Sequence, residues 1–405
     1  MSNQQLFPAA TLRPDDSSGA EPAHHANGVS PVVSSDGRRA LRPGDARLDV
    51  GLREAWGAEP DTGSVSGGGQ RAPGARRADG GHVGPAGGRG PDGQPRFDQA
   101  VPSGGYLWWY VDALSDCGQW GLSIIAFVGS VFSPYYAWAQ RGGGQPAADN
   151  HCALNVALYS RKAKRWAMTE RGQRHCSRDA SEFVIGPSRL HWDGSALTID
   201  INEIGMPIPH RLQGRVRVHP QGLFNFSTPL DASGRHRWGP LAPQARVEVE
   251  LQHPGQTWSG HGYLDSNEGD EPIARAFTEW DWSRGQLADG STAVIYDVEP
   301  QRRPDHPMAK LLALRFKPDG SIEPFEAPPS QRLPRTRWGI ARRMRSDGPV
   351  NVLQQLEDTP FYQRAVLQST LLGQQVNSFH ETLNVPRLVS PVVQAMLPWR
   401  MPRRG

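Results

Sequence analysis

Apolar and polar residues alternate with a period of two through much of the chain after Ser103. Ala153–Ser160 (ALNVALYS), Ala196–Asn202 (ALTIDIN), Gly214–His219 (GRVRVH), Ala245–Leu251 (ARVEVEL) and Thr292–Glu299 (TAVIYDVE) all show it. Such alternation puts one face against a core and the other in water, as in antiparallel sheets. Lys310–Phe325 (KLLALRFKPDGSIEPF) adds a hairpin with Pro-Asp-Gly at its turn. Segments of this kind continue to Arg345 and are too many for one small sandwich. A mainly β protein with two antiparallel barrels or sandwiches in tandem is expected, the first domain over residues 101–235 and the second over residues 236–348.

The period changes after Gly348. Thr359–Leu383 (TPFYQRAVLQSTLLGQQVNSFHETL) opens with Thr before Pro, a good N-cap followed by a preset first helical residue. Tyr362, Val366, Ser369, Leu372, Val376 and His380 then fall on one stripe at helical spacing. Residues 349–405 are expected to carry a C-terminal amphipathic helix, packed on a barrel or on a membrane, and a basic tail. Residues 1–100 follow neither period. Stretches such as Gly63–Arg96 hold almost no aromatic or β-branched residues. Burial there cannot offset the entropy of ordering, so a disordered N-terminal tail is expected.

With 405 residues the chain has material for two or three domains, and its net charge of +3 says little about partners. The N-terminus lacks the basic start and continuous apolar stretch of a secretory signal, so export is not expected. The longest apolar run, Leu122–Trp138, is broken by Ser, Gly and Pro and falls short of a membrane span. Cys117, Cys152 and Cys176 have no C-x-x-C spacing and are read as reduced, cytosolic and structural. Arg332–Arg345 carries six arginines and no acid, and the chain ends PWRMPRRG. A solvated strand edge explains the run most simply. Of the functional readings, an anionic lipid surface is favoured over nucleic acid, because no nucleic-acid module accompanies the arginines.

Candidate chemistry concentrates in two stretches. In Gly234–Pro243 (GRHRWGPLAP), His236 and Trp238 are two apart, so on a strand they share a face. In His261–Pro272 (HGYLDSNEGDEP), Tyr263 and Asp265 have the same relation. The second stretch is not a calcium loop: counted from Asp265, the fifth position is Gly269 and the sixth Asp270, where a ligand and a glycine are required. Singly, each residue has an ordinary role as core, cap or turn. If both strands line one lumen, an imidazole, two aromatics and a carboxyl converge in an apolar cavity. Trp280 and Trp282 repeat the spacing as candidate cavity wall, and thirteen tryptophans suit a large apolar ligand. No phosphate loop, nucleophile elbow or paired histidines point to a cofactor or metal.

Those two stretches, together with Ser103–Tyr136 upstream, resemble the carotenoid 1,2-hydratases, also called hydroxyneurosporene synthases, over roughly residues 100–385. The resemblance implies tandem lipocalin-like barrels. It also implies cofactor-independent hydration of the terminal double bond of acyclic carotenoids such as neurosporene and lycopene. In that setting Asp265 would be the proton donor and Trp238 and Tyr263 would stabilise a carbocation. His236 would orient water, relay its proton or hold Asp265 in place. A substrate dissolved in a bilayer implies a cytoplasmic protein attached peripherally to the inner or photosynthetic membrane. The alternative is a lipocalin-like carrier that binds a lipophilic pigment unchanged. A hydrolase using Asp265 and Glu268 is the third reading.

Overall fold

The computed structural model describes residues 87–160, 164–301 and 309–405. Most of the tail expected over residues 1–100 lies outside them. The strands are β1 (Tyr106–Ser115), β2 (Trp120–Val128), β3 (Cys152–Ser160), β4 (Lys164–Arg171), β5 (Cys176–Arg178), β6 (Glu182–Ile185), β7 (Ser188–Trp192), β8 (Leu197–Gly205), β9 (His210–Pro220), β10 (Thr228–Pro229), β11 (His236–His253) and β12 (Gln256–Gly269). They continue as β13 (Phe277–Gln286), β14 (Thr292–Pro300), β15 (Lys310–Phe316), β16 (Ile322–Pro324), β17 (Ser330–Leu333), β18 (Arg342–Arg345), β19 (Asn351–Asp358), β20 (Tyr362–Leu371), β21 (Gln374–Asn384) and β22 (Arg403–Arg404). The helices are short: α1 (Pro134–Ala139), α2 (Ile273–Ala276), α3 (Val385–Leu388) and α4 (Pro391–Met396). None is long and apolar enough to cross a membrane.

The alternating segments are strands, as their period requires. They assemble into a 13-stranded sheet ordered β22-β4-β3-β2-β1-β12-β11-β9-β8-β7-β6-β5, with β10 beside β11, and a seven-stranded sheet ordered β16-β15-β14-β13-β21-β20-β19. The first sheet curls into a lipocalin-like half barrel. The expected pair of closed barrels is not seen among the described residues, where each sheet is an open series ending in edge strands. The division expected at residue 236 does not coincide with a change of sheet. β11 and β12 pair with β9 and β1 in the middle of the first sheet, and the second sheet opens at Phe277.

The C-terminal helix expected over Thr359–Leu383 is corrected by the structure to a hairpin, β20 and β21. Its two-residue loop, Leu372-Gly373, has both residues at positive φ (51° and 74°), the geometry that matches strand twist. β20 is buried on both faces over Tyr362–Leu367, so polar Gln363 and Arg364 sit among apolar neighbours and no period of two shows. A stripe at helical spacing then arises by coincidence.

Residues 87–100, counted in the expected tail, are among those described. Phe97 is fully buried against Trp109, at 4.8 Å between ring centroids, and Trp109 Nε1 donates to Gly88 O at 2.8 Å. Arg89 is 2% exposed and donates from Nη2 to Gly239 O (2.8 Å) and Ser266 Oγ (2.9 Å), and from Nη1 to Phe226 O. Burial pulls its pKa down to about 10. One aromatic and one arginine are enough to pin a segment that is otherwise glycine, proline and polar residues. Arg89→Ala leaves buried carbonyls of the β11 region without their donor. Stability should fall by about 2–4 kcal/mol in a urea titration; an unchanged midpoint would mean that residues 87–99 ride on the sheet without holding it.

Candidate active site

β12 sends Tyr263, Asp265 and Asn267 to one face and Leu264 to the other, where it joins the core of the half barrel. Register fixes what surrounds Asp265. On β1, Tyr110 lies opposite it and Trp108 opposite Asn267; on β11, Trp238 also lies opposite Asn267 and so sits diagonally from the carboxyl. β2 places Ile125 opposite Tyr110 and Phe127 opposite Trp108. The second sheet faces this wall with Trp280 and Trp282 of β13, Tyr296 of β14, Tyr362 of β20 and Glu381 of β21. With Phe132 these residues enclose a narrow chamber.

Asp265 is 3% exposed. Its Oδ2 accepts hydrogen bonds from Trp238 Nε1 (2.8 Å) and the Tyr263 hydroxyl (2.9 Å), and Asn267 Nδ2 approaches Oδ1 at 3.4 Å. Burial pushes its pKa up to about 8, the two donated bonds oppose the rise, and the charges of Glu381 and Asp112 add to it. The carboxyl is therefore largely protonated at neutral pH. Both strong donors occupy Oδ2, which leaves Oδ1 to carry the acid proton.

One buried ion pair crosses between the sheets, and a second, within the second sheet, reaches across by hydrogen bonds. Arg284 Nε of β13 donates to Asp112 Oδ1 of β1 at 2.8 Å. Arg364 of β20 donates to Glu381 Oε1 from Nε at 2.7 Å, while its Nη1 reaches Ser123 and Tyr159 of the first sheet. The Tyr110 hydroxyl lies between them, 2.6 Å from Glu381 Oε1 and 3.0 Å from Asp112 Oδ2. A carboxylate is thus held in the chamber wall from the sheet facing Asp265.

A larger cavity of about 730 Å³ adjoins the chamber and shares Ile125, Phe132 and Tyr362 with it. Trp166, Met168, Val393, Leu397 and Met401 are among its walls. The shared side chains put this mostly apolar cavity next to the chamber that holds Asp265.

Of the residues singled out in the sequence, Asp265, Trp238, Tyr263, Trp280 and Trp282 converge here. His236 does not reach the carboxyl. Its Nδ1 pairs with the Tyr106 hydroxyl at 2.8 Å, and its Nε2 is 3.7 Å from Glu271 Oε1. Tyr106 in turn stacks on Trp108 at 4.8 Å, so His236 stands behind the chamber wall. Glu268 points away from Asp265 and accepts from Gly87 N at 2.9 Å, which removes the paired-carboxylate geometry. The arginine run is divided. Arg343 and Arg345 pair with Glu299 (3.0 Å) and Asp297 (2.8 Å), Arg342 donates to Gln363 (2.9 Å), and Arg337 lines the mouth of the outer cavity. Sequence reasoning missed Tyr110, which has no signal beyond its aromatic neighbours, and Asp112, Arg364 and Glu381, whose only local signal was charge within strands. Among the described residues no group of three or more His, Cys, Asp or Glu is placed to hold a metal ion.

Comparisons with known proteins agree with this picture. Residues 124–405 match the family described as carotenoid hydratase CrtC. The chain is 59% identical to an acyclic carotenoid 1,2-hydratase of Rubrivivax gelatinosus, over 99% of this chain and 98% of the relative. It is 50% identical to an acyclic carotenoid 1,2-hydratase of Thiocapsa roseopersicina, with the same coverage. Among solved structures, a Nitrosomonas europaea protein described as an AttH shares the fold at a TM-score of 0.50 and 15% identity, over 69% of this chain and 92% of that one. By identity along nearly its whole length, the chain belongs to the carotenoid hydratase family and is a hydratase enzyme.

Proposed function

We propose that the enzyme adds water across the terminal C1=C2 bond of acyclic carotenoids such as neurosporene and lycopene, giving a tertiary alcohol without a cofactor. The observation that carries this reading is a carboxyl with its pKa pushed up to about 8, held in an aromatic chamber at the end of an apolar cavity. An isolated alkene is a very weak base, so its hydration needs an acid that is still protonated near neutrality and a site that tolerates a cation.

Asp265 Oδ1–H donates its proton to C2, the π electrons form the new C–H bond, and the positive charge appears at C1, where two methyl groups and the chain stabilise it. The faces of Trp238, Trp280 and Trp282 contribute about 0.5–2 kcal/mol each to a desolvated cation. Trp238 and Tyr263, still hydrogen-bonded to Oδ2, stabilise the carboxylate that forms. Water attacks C1, and the proton it sheds passes to Glu381, whose carboxylate Arg364 and Tyr110 hold in place. Protonated alcohols are such strong acids that a carboxylate accepts this proton readily. The proton returns to Asp265 through water, so the sum is alkene plus water. Placement and fixed charges supply most of the acceleration, because the aromatic faces alone are too weak. His236, through Tyr106 and Trp108, acts as a positioning residue.

A substrate dissolved in lipid places the enzyme peripherally at the cytoplasmic face of a membrane. Purified protein incubated with lycopene in detergent micelles, with nothing else added, should yield a more polar product heavier by one water. Binding without product would make the protein a pigment carrier instead.

A further inference from the structure

The mouth of the outer cavity is built from a stretch of chain that is apolar on more than one side. α4 runs directly into a 3₁₀ turn, Leu397–Trp399, so Pro391–Trp399 forms one continuous helical stretch. Val393 and Leu397 are buried and line the cavity. Val392, Met396 and Trp399, at spacings of four and three that share one helical face, are 70%, 43% and 75% exposed. Val389 just before them and Trp338 across the mouth are 45% and 50% exposed, and Arg387 Nη1 ties the two sides together by donating to Trp338 O at 2.8 Å. Scattered single apolar residues on a surface need no explanation; Trp338, Met396 and Trp399 lining one cavity, with Val389 and Val392 exposed on the adjoining helical stretch, do.

Charge says what covers them. Lys164, Arg165, Arg337 and Arg400 line the same mouth against Glu357 and Asp358, leaving an excess of positive charge. The Arg400 guanidinium lies 4.8 Å from the Trp166 ring centroid. Apolar side chains and tryptophan ringed by lysine and arginine match a bilayer surface, where acyl chains take the apolar groups and anionic headgroups take the cations.

We propose that the rim formed by Val389, Val392, Met396, Trp399 and Trp338 docks on an anionic phospholipid leaflet, so that the hydrocarbon substrate passes from the acyl chains into the cavity without crossing water. The need for this route rests on the carotenoid reading above, but the docking itself is measured without any carotenoid. A long hydrocarbon is too costly to transfer through water, whereas lateral entry keeps its surface against apolar groups throughout. The short helices then have two roles at once: their inner side chains wall the cavity, and their outer ones seat it in the membrane.

The test uses the full-length protein and sucrose-loaded vesicles of phosphatidylcholine with and without one third phosphatidylglycerol. Wild-type protein should sediment with the anionic vesicles, and salt should weaken the interaction partly but not abolish it, since both charge and apolar contact contribute. Val389→Asp combined with Val392→Asp should reduce vesicle binding at least about tenfold. Neither residue lines the cavity; Val392 lies in the first turn of α4, where Asp suits the helix, and Val389 is exposed just before the N-cap of α4, so turnover of detergent-solubilised lycopene should stay within a factor of about two. Wild-type protein that ignores vesicles, or a double variant that binds them as wild type does, overturns the proposal. Loss of vesicle binding in the variant while neither protein hydrates lycopene in detergent would leave the docking surface standing and remove the proposed reaction.

Discussion

Asp265→Asn should lower hydration by about three orders of magnitude while the protein still folds and still binds carotenoid. Asparagine has nearly the same shape, and its side-chain oxygen can accept the bonds that Trp238 Nε1 and the Tyr263 hydroxyl now give to Oδ2. What it lacks is the proton for the alkene. The same residue sets a pH dependence. In the folded protein its pKa is about 8 against an ordinary 3.8, so between those values the folded state keeps a proton that the unfolded chain has lost. Folding takes up a proton in that window, and wild-type stability falls as pH rises through it, by at most about 1.4 kcal/mol per unit. Asp265→Asn lacks this penalty, so the difference in Tm should shift in favour of the variant from about pH 4 to about pH 8 and then level off. Wild-type turnover should decline above about pH 8 as the acid form is lost. A folded variant that hydrates lycopene at near the wild-type rate would place the acid elsewhere.

How much of this could be read from the chain depends on whether a strand's residue types alternate, since β3 and β14 are buried along nearly their whole length and were still read as strands. β3, β8, β9, β14 and the β15 hairpin coincide with alternating segments; in β8, for example, buried and less buried residues follow one another regularly. The Tyr263 and Asp265 spacing could be read because β12 is a strand, and its convergence with Trp238 needed only that β11 pair with it. β20 and β21 were hidden because the chamber takes one face and the β17–β18 ribbon lies toward the other. His380 of β21 accepts at Nδ1 from Gln363 Nε2 (2.9 Å) and donates from Nε2 to Arg343 O (2.7 Å) on that second face. Glu381, its neighbour, turns to the chamber, and no local pattern distinguishes these two destinations. Nor could the pairing of β13 with β21, which brings Trp282 opposite Glu381, be read from residues separated by about a hundred positions in the chain. His236 was drawn into the site by its spacing to Trp238, but it stands at the end of β11, opposite Gly269, beyond reach of the carboxyl. Arg89 was missed because long-range hydrogen bonds to backbone carbonyls leave no trace in composition.

Glu381→Gln should slow hydration by one to two orders of magnitude and move the alkaline limb of the pH profile to lower pH. Both effects follow from one geometry. Glu381 and Asp265 face the same chamber from opposite sheets, where the anion helps keep Asp265 protonated; in the proposed mechanism it also stabilises the positive charge forming between them and receives the proton shed by water. Glutamine keeps an oxygen for Arg364 but provides neither charge nor a useful base. The other charged groups near Asp265, Asp112 paired with Arg284 on the chamber side and Arg89 behind the sheet, are untouched, so the limb can move only through the Glu381–Arg364 pair. Arg364 would be left with Glu357 at 3.9 Å as its nearest remaining acid. Loss of a buried partner costs about 3–5 kcal/mol, so the profile should be taken well below the variant's Tm. The unpaired guanidinium adds positive charge to the chamber and pushes the limb in the same direction. A purely structural glutamate would lower the amplitude of the profile and leave its limb where it was. Tyr110→Phe supplies the contrast: it removes the hydroxyl 2.6 Å from Glu381 Oε1 without removing a charge, and should slow turnover with little movement of the limb. If Glu381→Gln leaves both the limb and the rate within a factor of about two of wild type, water gives up its proton to another acceptor, and Asp265 owes its protonated state to burial and Asp112 without Glu381.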